Sequence, residues 1–97
     1  MDSIFERDRK DRCFLCGYNA TIEKHHIFGG SNRKKSEKYG LTVHLCHWCH
    51  NEPPNGVHHN KERRLLLQQT AQMQWQETFG KTEADFIQEF GRSYLYD

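Results

Sequence analysis

The sequence predicts a small α+β domain that is held together by a metal and completed by C-terminal helices. Three observations support this: the chain has only 97 residues, two Cys-x-x-Cys pairs stand 29 residues apart, and two helical patterns follow them. A chain this short buries only about two-thirds of its unfolded surface. With 35% hydrophobic residues and a mean hydropathy of −0.99, its apolar core is poor. Small domains of this kind commonly add a metal or disulfides.

Cysteine and histidine are confined to one part of the chain. All four Cys and all seven His lie between Cys13 and His59. We therefore treat 1–97 as a single domain in which 13–60 carries the chemistry and 61–97 supplies supporting helices. No repeat or Pro/Gly-rich linker argues for a second domain.

Charge is unevenly distributed, although the net charge is only +1. Residues 1–40 carry nine Lys/Arg and six Asp/Glu, whereas 41–97 carry five and seven. A basic half is compatible with a face that binds a polyanion. The opening MDSIFERDRKDR is too charged for a signal peptide, and no apolar run reaches membrane-spanning length. We expect a soluble cytoplasmic protein.

The two Cys-x-x-Cys pairs are the strongest local signal. Two residues between thiolates let one turn offer both sulfurs to a metal about 2.3 Å away, and two such turns complete a tetrahedron that favours Zn²⁺. The 29-residue gap exceeds that of common zinc ribbons, so a hairpin is expected between the pairs. Two disulfides, four buried thiols, or a site in which His47 replaces one thiolate are the alternatives. A site with four thiolates has no open position and is structural; its ligands are Cys13, Cys16, Cys46 and Cys49.

Composition predicts two strands around a polar loop. Residues 21–28 and 41–45 have strand character, and the segment SNRKKSEKYG between them reads as a loop from Gly29 to Gly40. A short helix is predicted over 1–12. The double proline with Asn-Gly at 53–56 interrupts the chain.

Two helices are predicted after this break. The first covers 57–79 and ends at Gly80, with one face formed by Leu67, Ala71, Trp75 and Phe79. The second opens with a Thr82-x-x-Asp85 capping box, runs to Phe90 and ends at Gly91. The residues expected to pack on the first helix are Phe86, Ile87, Phe90, Tyr94, Leu95 and Tyr96. The aromatic stripe could instead stack on bases, but this spacing favours a core role.

Adjacent histidines stand near the end of the first strand. Neighbouring residues on a strand point to opposite faces, so His25 and His26 cannot share one site on a regular strand. They lie at a strand end or have different roles, such as metal binding and activation of water. His50 follows the second cysteine pair, and His58 and His59 follow the double proline.

Taken together, the motifs resemble a known nuclease family. A Cys-x-x-Cys, then HHI, then a short strand running into LCHWCH is similar to the ββα-metal nucleases of the His-Asn-His (HNH) family, over 13 to about 60. The segments HHIFGGSNRKKSEKYG, NGVHHN and FGRSYL resemble small HNH proteins encoded by phages and prophages. The resemblance implies a ββα-metal core in which His26 is the general base and His25 binds a divalent ion, with His50 and His58 as further ligands.

One position departs from the family pattern. The family Asn stands five residues before the second cysteine pair, where this chain has Leu41. Asn32, Asn51 and Asn60 could each supply an amide, and Asn32 is the favoured candidate for a catalytic role beside His25 and His26.

The expected function is metal-dependent hydrolysis of DNA in a bacterial host cell. The ion is Mg²⁺, Mn²⁺, Ni²⁺ or Zn²⁺, and the resemblance implies products with 5′-phosphate and 3′-hydroxyl ends. Lys/Arg side chains after the first strand are expected to grip the DNA backbone with little base specificity, although a solvated loop is the alternative; they are Arg33, Lys34, Lys35 and Lys38.

Two other functions remain open from the sequence. The chain could be a non-catalytic, zinc-stabilised DNA-binding module, or a phage module that binds a host protein through its acidic C-terminal helices. A zinc nucleobase deaminase is excluded because its Pro-Cys-x-x-Cys motif is absent.

Overall fold

The computed structural model describes residues 2–96 and has the predicted α+β class. Two antiparallel strands, β1 (Ile22–His26) and β2 (Thr42–Cys46), pair in a register that sets Ile22 opposite Cys46 and His26 opposite Thr42. The helices are α1 (Arg33–Tyr39), α2 (His47–His50), α3 (Lys61–Phe79) and α4 (Glu83–Phe90). Both strands lie within or next to their predicted ranges, so the hairpin expected between the cysteine pairs is confirmed.

The segment between the strands is helical, and the predicted polar loop is wrong. A short 3-10 turn (Gly30–Asn32) leads into α1, which ends at Gly40 with a left-handed φ of 69°. Ser36 is fully buried, and its hydroxyl bonds both the backbone N–H and the carbonyl of Phe28, at 3.0 and 2.8 Å. Lys, Arg and Glu are good helix formers, and this anchor holds them against the hairpin. Polarity alone did not distinguish a solvated helix from a loop.

The N-terminal segment is extended and turned, and the predicted helix over 1–12 is wrong for residues 2–12; Met1 lies outside the described residues. The Asp8 carboxylate accepts from the backbone N–H of His44 at 2.8 Å and lies 2.7 Å from its Nδ1. The N–H of Ile4 donates to the carbonyl of Gly40 at 2.9 Å. These hydrogen bonds to β2 and to Gly40 before it replace the hydrogen bonds that a helix would form within the segment.

Helix α3 begins later than predicted because Asn60 caps it. The Asn60 side chain accepts from the backbone N–H of Arg63 at 3.0 Å. Residues 57–60 therefore lie in turns before the helix. The predicted end at Gly80 is confirmed by its φ of 63°. The inward face of the helix is buried at Leu67, Ala71 and Trp75.

Helix α4 has the predicted capping box between Thr82 and Asp85 and ends at Gly91 as predicted. Phe86 and Phe90 stack at 4.4 Å between ring centroids, and Trp75 packs on both. This burial confirms the core role of the aromatic stripe. Ile87 is 43% exposed and Tyr96 is 83% exposed, so their predicted places in the core are wrong.

Candidate functional site

The four cysteines converge where the two Cys-x-x-Cys turns meet. The Sγ atoms of Cys13, Cys16, Cys46 and Cys49 all lie within 4.8 Å of one another. All four are free thiols, so the disulfide alternative is not realised. The Sγ atoms of Cys16 and Cys46 are 3.7 Å apart. A tetrahedron with Zn–S bonds of about 2.3 Å has edges of about 3.8 Å, so the cluster fits a structural metal site.

Electrostatics also favours a cation at this cluster. Burial by itself would raise the pKa of Cys13, but backbone hydrogen bonds from Cys46, Cys16 and Leu15 lower it to about 7. Burial raises the pKa of Cys49, and the neighbouring thiols raise it further. Closely packed thiols cannot all ionise without compensation. A bound ion supplies it, and a coordinated thiol is deprotonated outright.

Three of the predicted histidines form a second cluster. His25 lies on β1, His50 ends α2, and His58 stands in the turns before α3. One ring nitrogen from each lies within 4.8 Å of the other two. The Nε2 atoms of His50 and His58 are 2.9 Å apart, and the His25 ring centroid lies 5.0 and 5.1 Å from theirs. The structure thus brings together residues that are up to 33 positions apart in the sequence.

The environment of this cluster suits neutral imidazoles. Burial, together with smaller contributions from charge repulsion by His50 and His58, lowers the pKa of His25 to about 3. Burial also lowers the pKa of His58. The Nε2 atom of His25 is buried and has no hydrogen-bond partner. An orphaned nitrogen beside two converging imidazoles fits a metal ligand, and the exposed His58 leaves one side of the cluster open.

His26 is not part of the cluster and has a carboxylate partner. Its Nε2 lies 2.7 Å from Oε2 of Glu37 in α1, and Lys24 Nζ lies 2.9 Å from the other carboxylate oxygen. Hydrogen bonds from Lys24 and then from His26 lower the pKa of Glu37 to about 2. Because an ionised carboxylate only accepts, the Nε2 proton of His26 points at Glu37 and its Nδ1 lone pair is left for another partner.

The candidate asparagines are placed differently from one another. Leu41 is fully buried in the core and has no polar role. Asn32, the favoured amide, donates to the carbonyl of Phe90 at 3.0 Å. Asn60 caps α3. Asn51 instead donates to Glu23 beside His50, at 3.2 Å. Asn51 is therefore the candidate amide that contacts the surroundings of the histidine cluster.

The four basic candidates all lie on α1 and have unequal surroundings. Arg33, Lys34 and Lys38 are exposed. The ammonium of Lys35 donates to the carbonyl of Glu89, near the end of α4. Lys38 lies 5.1 Å from the ring centroid of Tyr39. Lys35 therefore ties two helices together, whereas the other three present charge to solvent.

Two carboxylates at the site did not stand out in the sequence. Glu37 lies in the segment predicted to be a loop, and no nearby residue indicated that its carboxylate would reach His26. Glu23 contacts His50 at 2.7 Å and His47 at 3.4 Å. One usable signal existed, because Glu23 stands two positions before His25 and strand alternation places both on one face.

Comparisons with models of protein families, with curated proteins and with solved structures find no match to this chain. Among residues 2–96, no helix is both long and apolar enough to span a membrane.

Proposed function

We propose that this protein is a metal-dependent endonuclease that hydrolyses phosphodiester bonds in DNA, with the ββα-metal arrangement of the HNH family. One observation carries the proposal: the adjacent residues His25 and His26 have separate environments suited to separate tasks. His25 joins an open three-imidazole cluster, and His26 is held by the Glu37 carboxylate with one ring nitrogen left over. A nuclease of this kind needs both a site for an ion and a base beside it.

Local structure supports the ββα-metal interpretation. Helix α2 follows β2 directly, and its last residue, His50, reaches His25 on β1. We assign the four-thiol cluster to a closed structural zinc site. The histidine cluster is left for the catalytic ion, and the exposed His58 leaves one side of it open.

The residues of the site have defined tasks in hydrolysis. His25, His50 and His58 would hold a divalent ion, which when bound would act as a Lewis acid toward phosphate oxygens. His26 accepts the proton of the attacking water at Nδ1, since imidazole is the side chain most often used for such transfers. Glu37 keeps the other ring proton on Nε2 and stabilises the charge that the ring acquires.

The position of helix α1 supports a contact with the substrate backbone. Glu37 lies on α1, so the helix that carries the exposed Arg33, Lys34 and Lys38 is next to His26. Cations on one helix beside the base suit phosphates on either side of a scissile bond, and such contacts carry little sequence information.

The ligand set indicates which ion is used. Imidazole nitrogens suit Zn²⁺ and Ni²⁺, whereas Mg²⁺ prefers carboxylate and water oxygens. Of the ions considered from the sequence, we infer that Ni²⁺ and Zn²⁺ bind more tightly than Mn²⁺ or Mg²⁺. Free thiolates suit the reducing cytoplasm of a bacterial host, where a phage-encoded nuclease would act.

A plasmid-cleavage assay tests the proposal. Protein that retains its structural zinc is stripped of weakly held ions, and supercoiled plasmid is then incubated with each divalent ion in turn. We expect conversion to nicked or linear DNA with 5′-phosphate ends, and loss of activity on chelation. Intact plasmid with every ion would overturn the nuclease proposal.

The buried Leu41 favours a second candidate, a zinc-stabilised module that binds DNA or a host protein without cutting. This chain lacks the family amide at that position. The same assay separates the candidates: a DNA-binding module shifts the plasmid in a gel with every ion and cleaves it with none, and a module that binds only a host protein does neither.

A further inference from the structure

Glu23 is a carboxylate at the centre of a polar network behind the histidine cluster. Its Oε1 lies 2.7 Å from Nδ1 of His50 and accepts from the Asn51 amide at 3.2 Å. Its Oε2 lies 3.4 Å from Nδ1 of His47, whose Nε2 is 3.1 Å from the Glu52 carboxylate. Glu23 therefore bridges two imidazoles of helix α2.

Strand geometry places Glu23 there. Residues two apart on a strand share a face, so Glu23 and His25 both point toward α2 from β1. The 2.7 Å contact with His50 is the shortest of the three. A glutamate side chain is ordinarily ionised at neutral pH, and its oxygens then only accept hydrogen bonds.

An ionised carboxylate fixes the orientation of the His50 ring. The Asn51 amide nitrogen also lies 3.2 Å from Nδ1 of His50, but it already donates to Glu23, and the carboxylate is closer, at 2.7 Å. Since Glu23 can only accept, Nδ1 of His50 carries the proton. The lone pair of His50 is then on Nε2, which is the atom that faces Nε2 of His58. A flipped or differently protonated ring would present an N–H to the cluster, and an N–H cannot bind a metal.

We propose that Glu23 is a positioning residue that holds His50 in the metal-binding tautomer, with His47 and Glu52 as its outer support. This inference rests on the proposed metal site. Glu23 acts through His50, because the ligand atoms that converge among the described residues come from His25, His50 and His58 and not from a carboxylate. A carboxylate behind a ligating imidazole also makes that imidazole a stronger donor.

Metal affinity tests the proposal without using cleavage. The second site is emptied with a mild chelator, and Ni²⁺ and Zn²⁺ binding is measured by calorimetry for the wild type, Glu23→Gln, Glu23→Ala and Glu37→Gln. Loss of an outer partner typically weakens a metal site by about 10 to 100-fold. We expect a loss in that range for Glu23→Ala and a smaller one for Glu23→Gln. Glu37→Gln is the matched control, because Glu37 contacts the neighbouring histidine that is not a ligand, and it should leave the affinity unchanged.

Two further readouts separate a positioning role from other roles. The absorption spectrum of bound Co²⁺ should keep its shape in Glu23→Gln, since the ligand count is unchanged. Nitrogen NMR of His50 in the emptied protein should show the Nδ1–H tautomer in the wild type and a mixture in the variant.

Distinct results overturn distinct claims. Equal second-site affinity in the wild type and in both Glu23 variants overturns the role of Glu23 and leaves the nuclease proposal standing. A Co²⁺ spectrum that loses a ligand in Glu23→Gln overturns positioning in favour of direct coordination. A wild type that binds no ion beyond the structural zinc overturns both the role of Glu23 and the proposed function.

Discussion

At the scale of single residues, the site is organised by pairs of an imidazole and a carboxylate. His50 faces Glu23 and His26 faces Glu37, each at 2.7 Å. In each pair the carboxylate fixes which ring nitrogen carries the proton, and the other nitrogen is left for chemistry. In our proposal this nitrogen accepts a proton from water in the His26–Glu37 pair and binds an ion in the His50–Glu23 pair. Glu23, His25 and His26 all lie on β1. In our proposal the first two serve the metal site, and His26 serves as the base.

Replacing His26 by Ala tests the assignment of the base. His26 is not part of the histidine cluster, so the variant should keep its fold, both classes of metal and its DNA affinity. Cleavage should fall by about 10² to 10⁴, or about 3 to 5 kcal/mol of barrier. The measurement is the single-turnover cleavage rate at saturating ion. His59→Ala is the control, since this exposed histidine neighbours a ligand in the same way. Equal cleavage by wild type and His26→Ala would mean that another group is the base.

Glu37→Gln tests how the base is held. The amide keeps the shape of the side chain but removes the charge that stabilises a protonated His26, so turnover should drop about tenfold or more while KM stays near the wild-type value. Steady-state kinetics at a fixed ion concentration separates the two parameters. The metal affinity of Glu37→Gln should equal that of the wild type. If the slower cleavage were caused only by weaker ion binding, the role assigned to Glu37 would be contradicted.

At the scale of elements, α1 is the part of the fold with two roles. Its inner side carries Ser36 and Lys35, which anchor it to Phe28 just after β1 and to α4, while its outer side carries cations. A helix holds those cations in fixed positions, which a mobile loop would not. The basic residues predicted as one phosphate-binding group therefore divide by their orientation on the helix.

Lys34→Ala and Lys35→Ala should now behave differently. Losing an exposed phosphate contact should weaken binding to all DNA sequences alike and lower the salt-dependence slope by about one unit, which we expect for Lys34→Ala. Lys35→Ala should leave the slope near its wild-type value and lower the melting temperature, because a helix–helix tie is lost. DNA binding over a salt series and thermal unfolding measure both. A slope that falls only for Lys35→Ala would reverse the assignment.

At the scale of the whole molecule, the balance between core and metal decides stability. The Cα radius of gyration is 12.9 Å, and the core consists of one aromatic cluster around Trp75 and Phe86 together with the residues beneath the hairpin. The first cysteine turn is exposed at Cys16 and its neighbours, whereas the other three cysteines are buried in the core. We expect the bound metal to replace the missing core there.

Cys46→Ser should prevent folding. Structural zinc is worth about 10 kcal/mol or more in small domains, which is comparable to the whole stability of a domain. Circular dichroism and thermal unfolding should show an unfolded or insoluble protein. Trp48→Ala is the control, because it changes an exposed residue of the same turn without removing a ligand. A folded Cys46→Ser protein with an unchanged melting temperature would show that the cysteine site is not what stabilises the fold.

Much of the fold was predictable because its signals are local. The capping box, the glycine that ends α3 and the spacing within each cysteine pair involve residues only a few positions apart, and each has a physical meaning without its surroundings. The apolar residues that recur along one face of α3 predicted, for the same reason, that this face is buried. The chemical character of the site also came from the sequence, through residue types and the resemblance that they carry.

Tertiary structure decided which partners those residues have. Glu37 reaches His26 only because α1 folds back on the hairpin, and Glu23 reaches His50 only because α2 packs against β1. The pairs are separated by 11 and 27 positions. Contacts at such distances along the chain depend on how whole elements pack, and no local pattern records them. The sequence itself determined which groups could bind a metal or move a proton. Packing determined which nitrogen of each imidazole is available to do so.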